Sequence, residues 1–198
     1  MKKSIFIIVL VLLIDQLSKI YIKTNFLMGS AGEVEVFEWF RIRFIENNGM
    51  AWGAEFGGKT GKLFLTLFRL VAISGIGYWL FTSIKKGAHS ILIVAVSMVF
   101  AGALGNIIDS VFYGIIFDTP FRQTATMFAE VPYGELFHGK VVDMLYFPIW
   151  TGDLPSWIPY FGGKEFTFFN AIFNIADSAI SSGVALMILF NKRIFPKD

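Results

Sequence analysis

Two acidic residues lie alone within apolar segments of the sequence. A carboxyl packs poorly in such a segment, so a chemical role is the better reason for its presence. Asp143 lies in the middle of the apolar run 141–147, which is strand-like or re-entrant, and Asp177 lies inside the long apolar stretch that begins at residue 166. Two carboxylates that meet share one proton, because like charges at close range resist joint ionisation. Such a pair can hold a water molecule and hydrolyse a bond, with one carboxyl as base and the other as acid. The spacing along the chain leaves open whether these two meet.

Asp15 and Lys19 form a second polar pair, inside the first apolar stretch. They are four residues apart with the acid nearer the N-terminus, which places both on one helix face as a favourable pair. A charge near the bilayer centre costs at least about 2.5 kcal/mol, so the pair needs a purpose. It is either a self-neutralising structural pair or a group with a direct chemical role. Arg69, in the second apolar stretch, is expected to extend its charge toward water or to pair with an acid.

Asn and Asp occur three residues apart in two further stretches, as Asn106 with Asp109 and as Asn174 with Asp177. In a helix this spacing places both members on one face. The amides are open to an interpretation as glue between helices, since small residues such as Gly105 allow close approach and amides bond across the gap. For the aspartates that explanation is weaker, because an amide would serve as well without the cost of a charge.

These residues have to be positioned by membrane helices. Of the 198 residues 55% are hydrophobic and 16% are charged, whereas a soluble domain is about 25% charged. That deficit argues against a soluble enzyme, and the excess of apolar residues excludes disorder. A span needs about 20 residues. Four stretches are long enough: 4–22, 63–84, 88–112 and 166–190. We therefore predict an all-α membrane protein, a single domain over 1–198 with four transmembrane helices, and place Asp177 eleven residues into the fourth.

The distribution of charge predicts the orientation of the helices. Both termini and the turn 85–87 carry seven basic residues and one acid, while the connections 23–62 and 113–165 carry eight basic and eleven acidic residues. By the positive-inside rule the termini are cytoplasmic and both connections lie outside. The charged groups within the helices then lie toward the outer leaflet, so the chemistry is expected there.

The two outer connections differ in pattern. In the first, Phe40, Ile42 and Phe44 alternate with two arginines, which predicts a half-buried strand on the membrane surface. The tripeptide 47–49 (NNG) then signals a turn. The second connection is enlarged, and its aromatic segment 154–161 suits a membrane interface. The sequence thus predicts a small β-containing region between helices one and two and a long loop between helices three and four.

Five segments taken in order resemble the motifs of one family, lipoprotein signal peptidase, also called signal peptidase II. They are 15–19 (DQLSK), 47–53 (NNGMAWG), 102–109 (GALGNIID), 141–143 (VVD) and 173–180 (FNIADSAI). Each segment is short, but together they extend over most of the chain. The resemblance implies a bacterial aspartic endopeptidase of the cell inner membrane, with its active site toward the periplasmic side.

The resemblance also implies a substrate, a site and an inhibitor. In this family the enzyme removes the signal peptide of a prolipoprotein just before a cysteine that carries diacylglycerol, and the cyclic peptide globomycin inhibits it. The catalytic pair of the family falls on Asp143 and Asp177. Supporting and substrate-binding positions fall on Asp15, Lys19, Asn47, Asn106, Asp109 and Asn174. No metal, organic cofactor or nucleic acid is expected, membrane lipid is expected as a partner, and the protein is expected to act as a monomer.

Two features depart from the family pattern. The arginine that usually follows the aspartate of the third motif is Ser110 here, and Arg122 is a candidate to take its place. In addition, 33 residues separate Asp109 from Asp143, and an aromatic insertion precedes the fourth span. We expect the segment 118–135 to cap the active site or to contact substrate.

Other classes of protein fit parts of the pattern. A small transporter or proton conductor would use intramembrane acids as relay groups, but these acids cluster at one depth and no span has the matched Gly and Pro breaks of transporter repeats. A structural assembly factor would leave the paired Asn and Asp without a purpose. Among other hydrolases, a histidine metal site is disfavoured because His89 and His138 fall on opposite sides of the membrane, and no Gly-x-Ser-x-Gly occurs.

Overall fold

Helices make up most of the fold, which a computed structural model describes for residues 1–48 and 58–195. They are α1 Lys2–Asn25, α2 Gly58–Lys85, α3 Ser90–Ile116, α4 Ile175–Leu189 and the short α5 Asn191–Ile194. The first three are long and apolar enough to cross a membrane, whereas α4 is a shorter apolar helix of 15 residues. The first three also agree with the predicted spans to within about five residues at each end.

The fourth helix begins later than predicted. We predict a helix from residue 166, but α4 begins at Ile175. The preceding residues pair as strands, which their aromatic side chains favour, and the Asn174 side chain caps the helix by accepting the backbone N–H of Asp177 at 2.9 Å. Asp177 therefore lies in the first turn of α4 and not eleven residues into a helix, so its predicted position along the helix is wrong.

Within the described residues, six short strands form two antiparallel sheets, which corrects the prediction of an all-α protein whose second connection is a long loop. The larger sheet has the order β1-β2-β3-β6, and the smaller sheet pairs β4 with β5. The strands are β1 Val34–Phe37, β2 Phe40–Asn47, β3 Val141–Tyr146, β4 Trp150–Asp153, β5 Glu165–Phe168 and β6 Ile172–Phe173. The strand structure predicted in the first connection is confirmed, and β3 confirms the strand-like alternative for the run around Asp143. Strands β4, β5 and β6 were missed because a strand pairs with partners that are distant in sequence, which a local pattern does not reveal.

The larger sheet joins the two long connections beside the helices. β2 lies against β3, so that Ile45 is opposite Asp143 and Asn47 is opposite Val141. This register places the Asn47 amide next to the acid of β3. The rest of the second motif and of the predicted turn, residues 49–53, lies outside the described residues.

Helix α3 lies at the centre of the helical part and packs against α1, α2 and α4. Its small residues allow close contact, since a Cβ atom on Gly102 would lie 2.3 Å from the backbone oxygen of Ala176 in α4. The outer faces of α1 and α2 expose large apolar side chains such as Phe68 and Val71. Such faces are expected where helices are surrounded by lipid.

The segment 118–135 folds against the end of α1. The Ala125 N–H donates a hydrogen bond to the Lys23 carbonyl oxygen at 3.0 Å. The Ala125 side chain is buried in a core with Ile22 and Phe44, below the larger sheet. This enlarged part of the second connection is therefore integral to the core between α1 and the larger sheet.

Candidate active site

Asp143 and Asp177 lie in the wall of one cavity of about 680 Å³. β3 supplies Asp143 and the first turn of α4 supplies Asp177, so the cavity lies where the larger sheet meets the helices. Asp143 is 2% exposed, whereas Asp177 is half-buried. The structure thus brings the two acids that the sequence analysis singled out to the same site.

Two asparagines hold the Asp143 carboxylate. Its Oδ1 accepts a hydrogen bond from Asn174 Nδ2 at 2.6 Å, and its Oδ2 accepts one from Asn47 Nδ2. Burial raises the pKa of Asp143 and the charge of Asp177 raises it further, to about 7, although both amides oppose the shift. A carboxyl with a pKa near neutrality can give and take a proton under physiological conditions.

Asp177 is held by α3 and by the start of its own helix. Its Oδ1 accepts a hydrogen bond from Asn106 Nδ2 at 2.8 Å, and its Oδ2 accepts one from the Asn174 backbone N–H at 3.3 Å. Because the Asn174 side chain accepts the Asp177 N–H in return, the two residues form a capping box. Asn174 therefore contacts both acids from the position before the helix, and not from a helix face as its spacing predicts.

The Asn106 amide is oriented by its neighbours. Its Oδ1 accepts hydrogen bonds from Lys19 Nζ at 2.9 Å and from Asn174 Nδ2 at 3.1 Å. Since its carbonyl end faces two donors, its NH₂ end faces Asp177. The amides thus form hydrogen bonds between elements, as predicted for residues that link helices. The same amides also hold the two acids of the cavity.

Lys19 is fully buried and has an acceptor for each of its N–H groups. Its Nζ lies 2.9 Å from Asp15 Oδ2, 2.8 Å from Asp109 Oδ2 and 2.9 Å from Asn106 Oδ1. An ammonium has three donors, so none is left over for a substrate. The predicted pairing of Asp15 with Lys19 is confirmed, and this geometry favours a structural role for the pair over a direct chemical one.

The two acids that bind this ammonium also hold the elements that carry the acids of the cavity. Asp15 Oδ1 accepts the backbone N–H of Ala176 at 2.9 Å, directly before the acid of α4. Asp109 Oδ2 accepts the backbone N–H of Val142 at 3.3 Å, directly before the acid of β3. A single buried cluster on α1 and α3 therefore positions both β3 and α4.

Gln16 belongs to this cluster, although the sequence analysis did not single it out. Its Nε2 donates to Asp15 Oδ2 at 3.0 Å and to Asp109 Oδ1 at 2.9 Å, and its Oε1 accepts from the Tyr113 hydroxyl at 3.2 Å. It therefore completes the hydrogen bonds of two buried acids. Gln16 could have been found in the sequence, because it is an amide side chain inside the first motif and within an apolar stretch.

Two further charged residues line the cavity. The charge of Arg69 interacts with Asp177, which agrees with the expectation that Arg69 pairs with an acid. Glu46 of β2 forms a buried ion pair with Lys23, whose ammonium lies 5.1 Å from the ring centre of Tyr133. Local sequence patterns do not reveal this ion pair, because its members are 23 positions apart in the chain.

The departures from the family pattern lie away from the cavity wall. Ser110 is buried, and its hydroxyl donates to the Asn106 carbonyl oxygen at 2.9 Å. Arg122 is exposed and lies 5.3 Å from the ring centre of Phe121, so it does not replace an arginine beside Ser110. The segment 118–135 contributes no described residue to the wall of the cavity and so does not cap it. Its contact with substrate stays a prediction.

Fold and site together define a class of protein. It is an integral membrane protein in which two carboxylates line one cavity, and a buried polar cluster holds the strand and the helix that carry them. A family model described as signal peptidase (SPase) II matches residues 7–192. The chain belongs to the signal peptidase II family, a family of membrane proteases, as the five motifs predict.

Relatives and solved structures agree with this membership. The lipoprotein signal peptidase of Porphyromonas gingivalis is 46% identical over 185 residues, which cover 92% of this chain and 80% of the relative. That of Amoebophilus asiaticus is 37% identical over 188 residues, covering 92% of this chain and 75% of the relative. A bacterial membrane enzyme solved by the in meso method at 2.3 Å is 29% identical with a TM-score of 0.61, covering 100% of this chain and 93% of that one.

Proposed function

We propose that this chain is an aspartic endopeptidase that removes the signal peptide of diacylglyceryl-modified prolipoproteins just before the lipidated cysteine. The proposal is carried by the shared cavity, in which Asp143 and Asp177 interact electrostatically and each accept hydrogen bonds from asparagine amides. Membership of the signal peptidase II family supports the same reaction.

A water molecule between the two carboxyls is the nucleophile of the proposed reaction. Asp177 lies at the N-terminus of α4, where the helix dipole favours a negative charge, and it removes a proton from the water. Asp143 is buried, with its pKa raised to about 7, and it gives the shared proton to the scissile carbonyl oxygen. The C–N bond then breaks as the C=O bond re-forms: the proton held by Asp177 passes to the leaving amine, and a hydroxyl proton of the diol intermediate returns to Asp143.

Negative charge that develops in the transition state needs a cation or a donor close to it. Among the described residues of the cavity wall, Arg69 alone carries a positive charge. We therefore assign to Arg69 the balancing of charge at the pair of acids during the reaction.

The substrate enters from the bilayer in this proposal. Much of the cavity wall is apolar and comes from α2, α3 and β6, including Ile73, Ile76, Ile107 and Phe173. Such a wall suits an apolar signal peptide and lipid chains. The active site faces the periplasmic side of a bacterial inner membrane, both termini are cytoplasmic, the protein acts as a monomer, and a globomycin-type inhibitor binds in the same cavity.

Cleavage of a diacylglyceryl-modified prolipoprotein by the purified protein tests the proposal, with loss of the signal peptide followed as a mobility shift. Asp143→Asn and Asp177→Asn are each expected to lower kcat by a factor of about 10² to 10⁴, since each removes one proton-transfer group. Asp153→Asn, on the exposed part of β4, is the matched control and should cleave at the rate of the unaltered protein. Normal cleavage by both cavity variants would refute the pair, and no cleavage by the unaltered protein would refute the function.

A further inference from the structure

The hairpin formed by β4 and β5 has one aromatic face and one polar face. Trp150 pairs with Phe168 and Gly152 with Phe166, whereas Thr151 pairs with Thr167 and Asp153 with Glu165. Side chains alternate between the two faces of a strand, so the aromatic residues lie together on one side. The Trp150 ring covers Gly152, where a Cβ atom would come 2.6 Å from it.

The polar face is turned toward the rest of the protein. Thr151, Thr167 and Glu165 line a cavity of about 600 Å³, and Arg41 and Arg43 of β2 line the same cavity. The aromatic face is therefore directed away from the larger sheet. Phe166 and Phe168 on that face are 43% and 55% exposed in the part of the chain that the structure describes.

The tip of the hairpin is also aromatic, and it has a defined turn. Trp157 is 79%, Tyr160 91% and Phe161 60% exposed. The turn is closed by hydrogen bonds from the Gly163 N–H to the Leu154 carbonyl at 2.8 Å and from the Leu154 N–H to the Lys164 carbonyl at 3.0 Å. These exposed rings thus belong to a hydrogen-bonded element. Contact of such a large apolar cluster with water is unfavourable.

We propose that the aromatic face and tip of this hairpin insert into the outer interface of the lipid bilayer. Trp and Tyr prefer the level of the lipid headgroups, where an apolar ring and a polar edge are both satisfied. Only six residues separate Phe168 from the start of α4 at Ile175. A chain of that length reaches about 25 Å at most, so the hairpin stays close to the point where the apolar helix enters the membrane.

Because the hairpin lies close in the chain to the apolar helix α4, lipid is the partner that we expect to cover its aromatic face. Lys164, beside the Phe161 ring at 5.7 Å, is placed to approach lipid phosphates while the rings lie deeper. Insertion of the hairpin anchors the connection between β3 and α4 at the membrane surface. Asp143 and Asp177 lie on these two elements, so the hairpin sets their depth without touching the reacting atoms.

Spin labels on single cysteines in lipid vesicles test this proposal, because the chain has no cysteine of its own. Phe168→Cys on the aromatic face and Thr167→Cys on the polar face are a matched pair of neighbours. We expect the label at 168 to be accessible to oxygen and protected from a water-soluble nickel complex, and the label at 167 to show the reverse. Equal access of the nickel complex to both labels would overturn the proposal.

Two other outcomes would identify a different occupant and would also overturn it. Dipolar broadening between labels at 168 would mean that a second copy of the chain covers the face. Protection that occurs only after a prolipoprotein is added would mean that the substrate lipid covers it. Labels at Trp157→Cys provide a second, independent measurement at the tip, where the same protection from the nickel complex is expected. None of these measurements depends on catalysis.

Discussion

At the scale of single residues, the two acids of the cavity owe their difference to their surroundings. Asp143 is deeply buried in a strand between two amide donors, whereas Asp177 is half-buried at a helix N-terminus. Burial penalises charge and a helix N-terminus favours it. A proton shared by the pair is therefore not divided equally between the two carboxyl groups. This inequality allows one carboxyl to act as the general base and the other as the general acid.

The cleavage rate is expected to fall as the pH rises through about 7. Burial and the charge of Asp177 raise the pKa of Asp143 to about 7, so this carboxyl keeps its proton below that pH and loses it above. Once both acids are ionised, no proton is left for the carbonyl oxygen, and kcat/KM declines. Initial rates over the neutral and alkaline range, with thermal unfolding as the control for an intact fold, measure this. A rate that is constant up to about pH 9 would contradict the assignment.

Replacement of Lys19 by Met is expected to destabilise the protein by about 3 to 5 kcal/mol, because it leaves two buried carboxylates without their cation. Adding Asp109→Asn should recover part of that loss, since it removes one of the two charges. Thermal unfolding in detergent measures both effects, and Lys3→Met on the exposed part of α1 is the control. A double variant less stable than the single one would argue against this account of the cluster.

At the scale of elements, the site depends on how closely α3 and α4 approach. Gly102 lies against Ala176, and Ala176 in turn donates its N–H to Asp15. The first turn of α4 is thus held from two sides, by a backbone contact and by a capping carboxylate. The sequence predicts the apolar helices well because their periodic composition is local, but it misplaces the start of α4 because strand pairing and the Asn174 cap decide that boundary.

Gly102→Ala is expected to lower both stability and cleavage. Its Cβ atom would lie 2.3 Å from the Ala176 oxygen, so α4 has to move and to carry Asp177 with it. Overpacking of this kind costs about 1 to 3 kcal/mol. Gly75→Ala in α2 is the matched control, because nothing lies within 4 Å of its added Cβ atom, and it should be neutral or stabilise by about 1 kcal/mol at most. Equal effects of the two substitutions on unfolding and cleavage would contradict the prediction.

At the scale of the whole molecule, the fold combines apolar helices with a region of sheets that draws on both long connections. The larger sheet contains strands that precede α2 and strands that follow α3 in the chain. The sheet can therefore form only when these helices bring the two connections together. The segment 118–135 contributes to its core through Ala125. Site, sheet and hairpin consequently lie together at the end of the molecule where α4 begins.

The predicted orientation can be measured with single cysteines and a maleimide that does not cross membranes. Glu130→Cys lies in an exposed part of the second connection and should react in intact cells or spheroplasts. Lys86→Cys lies in the turn between α2 and α3 and should react only after the membrane is opened, because basic residues stay on the cytoplasmic side. The reverse labelling pattern would place the active site on the cytoplasmic side.

The sequence by itself determined which residues are the candidates for the chemistry and that this is a membrane protein. Composition, apolar length and the cost of a buried charge are properties of local sequence, so Asp143, Asp177 and the Asp15–Lys19 pair stand out without any coordinates. Only the tertiary structure decided that Asn174 contacts both acids and that one cluster on α1 and α3 positions them. Those relations depend on strand register and helix packing, which join residues up to 161 positions apart and leave no periodic trace in the chain.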